Sequence, residues 1–432
     1  MKDLNKLTAT EASTLLDKKE ISSVELTQAC LDQIKARNPD VGAWCHLDED
    51  FALSQARLAD SSPRKSALHG IPFGVKDVID TKDFPTEHGS RVHQGRRPTR
   101  DALCVTRLRD AGAVLLGKLV STEYALFTPN ETRNPWNLAH TPGGSSSGTG
   151  ASVADMQVPI ALGNQTAGSL IRPAAFCGVF GFKPTHGLVA SDGALALQPY
   201  TDTLGYTSRS LDDLQSLLGI LTESDFSSDE DTGRPLKIGL CKTHQWQHAD
   251  NNARYVLEDA GRQLANSGVQ VESFDFPDTY AELPKTHHVV LWAGIAKSLA
   301  RDFQESRALM SDGLIANLER AQGIDAETYR REQQFAQECR ANINDAFGDF
   351  DAIICPSAPG EAPVGMGTGD PIFQVSWSLL GVPTINLPVG FGPKGLPIGI
   401  QLVGRRGDDK NVLALAKRLV ARLGRIQMAP GR

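Results

Sequence analysis

Short, mostly apolar runs recur along this chain, and they limit its fold more than any other feature. They lie at Ile71–Val75, Ala113–Gly117, Pro235–Leu240, Val269–Glu272, Asp351–Pro356, Thr384–Pro388 and Ile398–Val403. A strand with one wet face alternates polar and apolar residues, whereas a near-continuous apolar run suits a strand buried on both faces. Between these runs the pattern is helical. Residues 22–37 carry a capping-box pattern, Ser22 with Glu25 three residues on, and then Leu26, Cys30 and Ile34 along one face. Asp101–Ala111, 251–267 with a Gly268 stop, most of 290–347, and 411–423 also read as helices. Helices alternating with buried strands predict an α/β fold, its central sheet covered by helices on both faces. The helix-rich segment 210–345 reads as a lobe on that unit, and no internal repeat or low-complexity linker divides the chain.

Composition narrows the classes of function. With 44 basic and 51 acidic residues the net charge is −7, and no Lys/Arg block offers a footprint for nucleic acid. No stretch approaches the apolar length of a membrane span, and Met1–Lys6 lacks the apolar core of a signal peptide, so a cytoplasmic location is expected. The seven cysteines are odd in number, scattered and without a C-x-x-C pair, as expected of unpaired thiols. The sequons at Asn130 and Asn164 carry little weight without a secretory signal. His244 and His248 have i, i+4 spacing, but Gln245 stands where H-E-x-x-H needs Glu. They read as a surface pair, and no metal or cofactor is expected.

The segment 129–193 is rich in Gly, Ser and Pro and shows no amphipathic helix before about residue 150. So long an irregular stretch inside a compact chain points to function. Its centre is Thr141-Pro142-Gly143-Gly144-Ser145-Ser146-Ser147-Gly148-Thr149-Gly150. A P-loop is excluded because the Gly-Lys-[Ser/Thr] ending is missing. Gly144–Gly148 matches G-x-S-x-G around Ser146, but a nucleophile elbow needs a preceding strand and a downstream His, and the last His is His288. Ser62-Pro63-Arg64-Lys65 matches S-x-x-K, yet has a proline inside it and no partner Lys-Thr-Gly.

Two further segments complete another pattern. Gly163-Asn164-Gln165-Thr166-Ala167-Gly168-Ser169-Leu170-Ile171-Arg172-Pro173 presents a single serine among small residues, and Gly74-Val75-Lys76-Asp77 ends an apolar run on lysine. Together with the serine loop they resemble the amidase signature family of serine hydrolases, including the 24-residue separation of Ser145 and Ser169. The resemblance continues through Gly117-Lys118, Thr122–Ala125, Phe176–Thr185 and Gly395–Gly404. It covers nearly the whole chain, most densely 69–190 and 349–420.

The resemblance implies the amidase-signature fold, a large mixed central sheet with helices on both faces. It also implies one domain over 1–432, with a catalytic core at about 65–205 and 349–420 and a helical lobe at about 210–345. It implies a Ser–Ser–Lys triad: Ser169 attacks a carbonyl carbon, and Ser145 relays protons to a neutral Lys76. N–H groups of Thr166, Ala167, Gly168 and Ser169 form the oxyanion hole, and the Gly144–Ser145 peptide is cis. A free lysine titrates at about 10.4, so a neutral Lys76 demands roughly 4 to 5 kcal/mol of bias against the ammonium. Burial behind Ile71–Val75 would supply it, provided Asp77 points away. Two departures stand out. Asn164-Gln165 replaces the commoner Thr-Asp, and Arg172 lies three residues after Ser169 rather than two, a variant similar to the malonamidase-like branch.

Arg172, always charged and suited to bidentate contacts, is a candidate substrate carboxylate anchor, with a structural ion pair or backbone-carbonyl contact as the alternative. The expected activity is hydrolysis of the C–N bond of a small-molecule amide, or of a carbamate, by a chain acting alone or as a homodimer. Two alternatives are the amidase subunit of a tRNA-dependent amidotransferase and a non-catalytic binding protein on the same scaffold.

Overall fold

The computed structural model describes residues 3–226 and 235–423; Met1 and Lys2 of the N-terminal segment discussed above lie outside them. One mixed sheet of eleven strands runs through the protein. In chain order the strands are β1 (Trp44–Leu47), β2 (Pro72–Lys76), β3 (Val114–Leu119), β4 (Ile160–Gln165), β5 (Phe180–Lys183) and β6 (Thr203–Ser208). They continue with β7 (Lys237–Leu240), β8 (Gln270–Ser273), β9 (Ala352–Pro356), β10 (Thr384–Phe391) and β11 (Pro397–Val403). Their spatial order is β1-β3-β2-β4-β6-β5-β10-β11-β9-β7-β8.

The expected burial of both faces is what the chain adopts. In β3, Leu115 faces one apolar cluster while Val114 and Leu116 face another. In β9, Ile354 joins the first cluster and Ile353 and Cys355 a third. This is the period-two alternation of a pleated strand with apolar residues on both sides. Helices Leu211–Thr222, Asn251–Asn266 and Asp409–Val420 supply the first face. Helix Ser23–Val41 covers part of the other, and its Ser22–Glu25 capping box is present in full. Residues 237–273, inside the segment read as a helical lobe, place β7 and β8 at one edge of the sheet. The mainly helical layer follows them, from Leu283–Ser298 to Ala326–Ala346.

The stretch 129–193 is more regular than its composition suggests. It holds helix Ser147–Ala154, β4, helix Ile171–Cys177 and β5. Small residues let these elements pack closely, and every residue of both helices is buried. Such helices have no polar face, so no amphipathic pattern marks them.

β4 pairs in parallel with β2 and antiparallel with β6. The carboxyl ends of β2 and β4 and the start of β6, three neighbouring interior strands, therefore meet at one end of the strands. Loops at the carboxyl ends of parallel strands are the usual place for ligands in open α/β sheets.

Candidate active site

Lys76 is the last residue of β2 and is fully buried. Its Nζ lies 2.7 Å from Ser145 Oγ and donates to Asn164 Oδ1, also at 2.7 Å. Burial drives the Lys76 pKa well below the usual lysine value, and the charge of Asp202 opposes that shift. Asp77 faces elsewhere: its carboxylate accepts from the N–H groups of Glu87 (3.0 Å) and Gly89 (3.1 Å). Asn164 presents a neutral amide, so it fixes the amine without stabilising the ammonium as a carboxylate would.

Ser145 precedes helix Ser147–Ala154 and is itself fully buried, and the Gly144–Ser145 peptide is cis. Its carbonyl accepts from Thr122 N–H at 3.3 Å. Ser146, the formal centre of the G-x-S-x-G match, donates its hydroxyl to the Asn164 carbonyl at 3.1 Å, and its N–H donates to the Ser169 carbonyl at 3.1 Å. That backbone bond draws the two serine segments together, while the hydroxyls of Ser145 and Ser169 are not hydrogen-bonded to each other. Ser169 is 8% exposed against 0% for Lys76 and Ser145, so of the three it is the one that reaches solvent.

The turn from Thr166 to Ser169 is held from outside. Its carbonyls accept from His287 Nε2 (Thr166, 3.1 Å), Ser378 Oγ (Ala167, 2.6 Å), Arg172 N–H (Gly168, 3.1 Å) and Ser146 N–H (Ser169, 3.1 Å). The four N–H groups have no protein acceptor among the described residues. Gln165 braces the turn, its Oε1 accepting from Leu170 and Ile171 N–H at 3.0 Å each and its Nε2 donating to Ser378 Oγ at 3.0 Å. A Cβ at Gly168 would lie 2.6 Å from Gln374 Oε1 and 2.8 Å from Arg172 Nη1, so a side chain there would displace the buried Gln374 or Arg172.

Arg172 is 2% exposed and contacts backbone. Nη2 donates to the Gly144 carbonyl and Nε to the Thr368 carbonyl, each at 2.6 Å, while Nη1 has no hydrogen-bond partner among the described residues. Burial lowers its pKa to about 10.

Two contributors escape sequence reasoning. The carboxylate of Asp202, a half-buried residue, accepts from Thr166 Oγ1 at 2.6 Å and from the N–H groups of Leu197 (2.7 Å) and Gln198 (2.8 Å). Burial raises its pKa to about 6, against the pull of those bonds. His287, on helix Leu283–Ser298, is buried and its pKa falls to about 4, again through burial. Neither stands near a recognisable motif; only the fold brings them to the turn.

The other candidates lie apart from this site. His244 is half-buried and hydrogen-bonds the Pro277 carbonyl at 3.1 Å, and His248 ends a short 3-10 turn, Trp246–His248, so the two do not share a helix face. All seven cysteines are unpaired, and six are buried. Among the described residues no cluster of three or more His, Cys, Asp or Glu could hold a metal ion, and no helix is long and apolar enough to cross a membrane.

Residues 25–413 match the family described as Amidase. The chain belongs to the amidase family. Among its relatives is the A-type subunit of the glutamyl-tRNA(Gln) amidotransferase of Chloroflexus aggregans, 33% identical over alignments covering 96% of each chain. A crystal structure of an amidase superposes on this amidase-family chain with a TM-score of 0.90 at 28% identity, covering 97% of this chain and 100% of the other. The peptide amidase of Stenotrophomonas maltophilia gives a TM-score of 0.82 at 27% identity, covering 98% of each.

Proposed function

We propose that this chain hydrolyses the C–N bond of a small-molecule amide, or of a carbamate, through an acyl-enzyme on Ser169. The observation that carries this reading is Lys76, buried, its pKa driven well below the usual lysine value, with Nζ 2.7 Å from Ser145 Oγ. Neutral Lys76 takes the Ser145 proton as Ser145 takes that of Ser169, whose Oγ bonds to the carbonyl carbon. The oxyanion draws on the uncommitted N–H groups of Thr166 to Ser169. The proton returns through Ser145 to the leaving nitrogen, and the C–N bond breaks. Water then adds to the acyl-enzyme, releasing the acid and restoring Ser169. No step calls on a metal or cofactor. Arg172 clamps the Ser145 loop through Gly144 and offers Nη1 to a polar group on the acyl side of the substrate. Asn164-Gln165 and Arg172 support a malonamidase-like member of the family, working as one unit around 65–205 and 349–420. The test is amine release from a panel of amides, esters and carbamates by the purified chain. No release from any of them, with the protein folded, would overturn the reading.

The relatives favour a second reading, in which the chain is the amidase subunit of an amidotransferase. Its support is the 33% identity to the glutamyl-tRNA(Gln) amidotransferase protein over 96% of the chain. In that case the purified chain would turn over poorly alone, would accept glutamine and would co-purify with partner subunits. The non-catalytic alternative has no support in a site that retains Lys76, Ser145 and Ser169 together.

A further inference from the structure

The Ala167 carbonyl, in the middle of the Thr166–Ser169 turn, is held by a side chain from far along the sequence. Ser378 lies on helix Val375–Leu380, is fully buried, and donates its hydroxyl to that carbonyl at 2.6 Å. The direction of this bond is set by Gln165, which is fully buried as well. Gln165 Oε1 accepts from Leu170 and Ile171 N–H, which leaves Nε2 facing Ser378 Oγ at 3.0 Å. The amide nitrogen can only donate, and a serine hydroxyl has one proton to give. Ser378 therefore accepts from Gln165 and sends its own proton to Ala167. An ionised carboxylate at 165 could only accept, and would draw that proton away.

This row of donors ends on the peptide unit that joins Ala167 to Gly168, which is trans. In a trans peptide the carbonyl and the N–H point in opposite directions, so a carbonyl held on one side aims the N–H to the other. Gly168 N–H is one of the four in the turn without a protein acceptor among the described residues. A donor on the carbonyl also polarises the amide, and linked hydrogen bonds strengthen one another by roughly 10 to 30% each. Both effects increase the pull of Gly168 N–H on an oxygen that gains negative charge.

We propose that Ser378, oriented by Gln165, is a positioning residue for amide cleavage. By holding the Ala167 carbonyl it aims and polarises Gly168 N–H toward the oxyanion that forms when Ser169 adds to the substrate. This deepens the amide-hydrolase reading and rests on it for the place of the oxyanion. Ser378 touches no substrate and acts through the peptide alone.

The test uses the full chain with Ser378→Ala, which removes the donor, and Ser378→Cys, which keeps a weak donor in nearly the same volume. On the amide that the wild type hydrolyses fastest, Ser378→Ala should lower kcat about tenfold and leave KM within about twofold, as expected when transition-state stabilisation alone is lost. Ser378→Cys should fall between the two. The hydrogen bond itself is read by NMR on deuterated protein labelled with carbon-13 at alanine carbonyls and nitrogen-15 at glycine. The Ala–Gly pairs of the sequence are Ala111–Gly112, Ala167–Gly168, Ala260–Gly261 and Ala293–Gly294, so each gives one resolvable carbonyl–amide peak. The Ala167–Gly168 peak should move upfield in carbon-13 in Ser378→Ala and by less in Ser378→Cys, while the other peaks stay in place. Unchanged kcat in folded Ser378→Ala protein, a loss carried by KM alone, or an unmoved Ala167–Gly168 peak would each overturn the proposal. If the wild type hydrolyses no amide, the hydrolase reading fails by itself. The peak still decides the hold on Ala167, since its displacement supports that hold and its constancy overturns it.

Discussion

Asn164 meets Lys76 with an amide oxygen rather than a carboxylate: Oδ1 accepts from Nζ at 2.7 Å inside a fully buried site. The amine is oriented by a neutral partner, so its second contact, to Ser145 Oγ, need not compete with an ion pair. The carboxylate that does act on Lys76 is Asp202, whose hydrogen bonds go to Thr166, Leu197 and Gln198.

Placing a carboxylate at position 164 tests that arrangement. Asn164→Asp should stabilise the Lys76 ammonium, so the base stays protonated to higher pH. The rising limb of kcat/KM should move to higher pH, and once it passes pH 7 the rate there should fall by up to about tenfold for each further pH unit of displacement. A pH–rate profile of variant and wild type measures the shift, and a limb that does not move would count against a neutral Lys76.

Asp202→Asn should act in the opposite sense. Removing the charge that raises the Lys76 pKa lets it fall further, so the rising limb should move to lower pH. The neutral Asn side chain can still accept from Thr166, which keeps the turn in place. Equal slowing at every pH would show that Asp202 serves the turn alone.

Ser169→Ala should abolish turnover, and Lys76→Ala and Ser145→Ala should each remove most of it. The triple variant should be little worse than the weakest single one, because residues acting as a unit are not additive. A sulfonyl fluoride should label Ser169 by mass-spectrometric mapping, and chelators should leave the rate unchanged. Labelling of Ser146 would revive the nucleophile-elbow pattern.

Arg172→Ala strips the Gly144 and Thr368 carbonyls of a buried charged donor. The expected loss is about 2 to 5 kcal/mol of stability, seen as a lower Tm by calorimetry, with all amides slowed. Contact of Nη1 with substrate predicts an additional loss for substrates carrying an acyl-side carboxylate. Equal losses for acidic and neutral amides would restrict Arg172 to the clamp.

Much of this is readable from residues in order. The apolar runs around Phe73, Leu115, Ile354 and Ile400 mark strands because burial on both faces leaves them little polar content, and Ser22 with Glu25 marks a helix start by local hydrogen bonding alone. β6 is not legible in this way, since Thr203, Gly205 and Ser208 dilute its apolar content although the strand is buried throughout. The same dilution hides helix Ser147–Ala154 and β4. At the site, Lys76, Ser145 and Ser169 stand inside local patterns, while Asp202 and His287 reach Thr166 from separate segments, 36 and 121 residues away. Only long-range pairing creates those contacts.

The meeting of the ends of β2, β4 and β6 in the middle of the sheet separates two kinds of change open to this chain. Lys76 ends β2, Asn164 lies one residue before the end of the neighbouring β4, and Asp202 directly precedes β6, so their spacing is enforced by backbone ladders that few substitutions disturb. The surface loop at 126–129 and helix Asp312–Ala321 lie outside that ladder. Exchanges in those outer segments therefore leave the spacing of Lys76, Asn164 and Asp202 as it is, which makes them the natural starting points for a directed library.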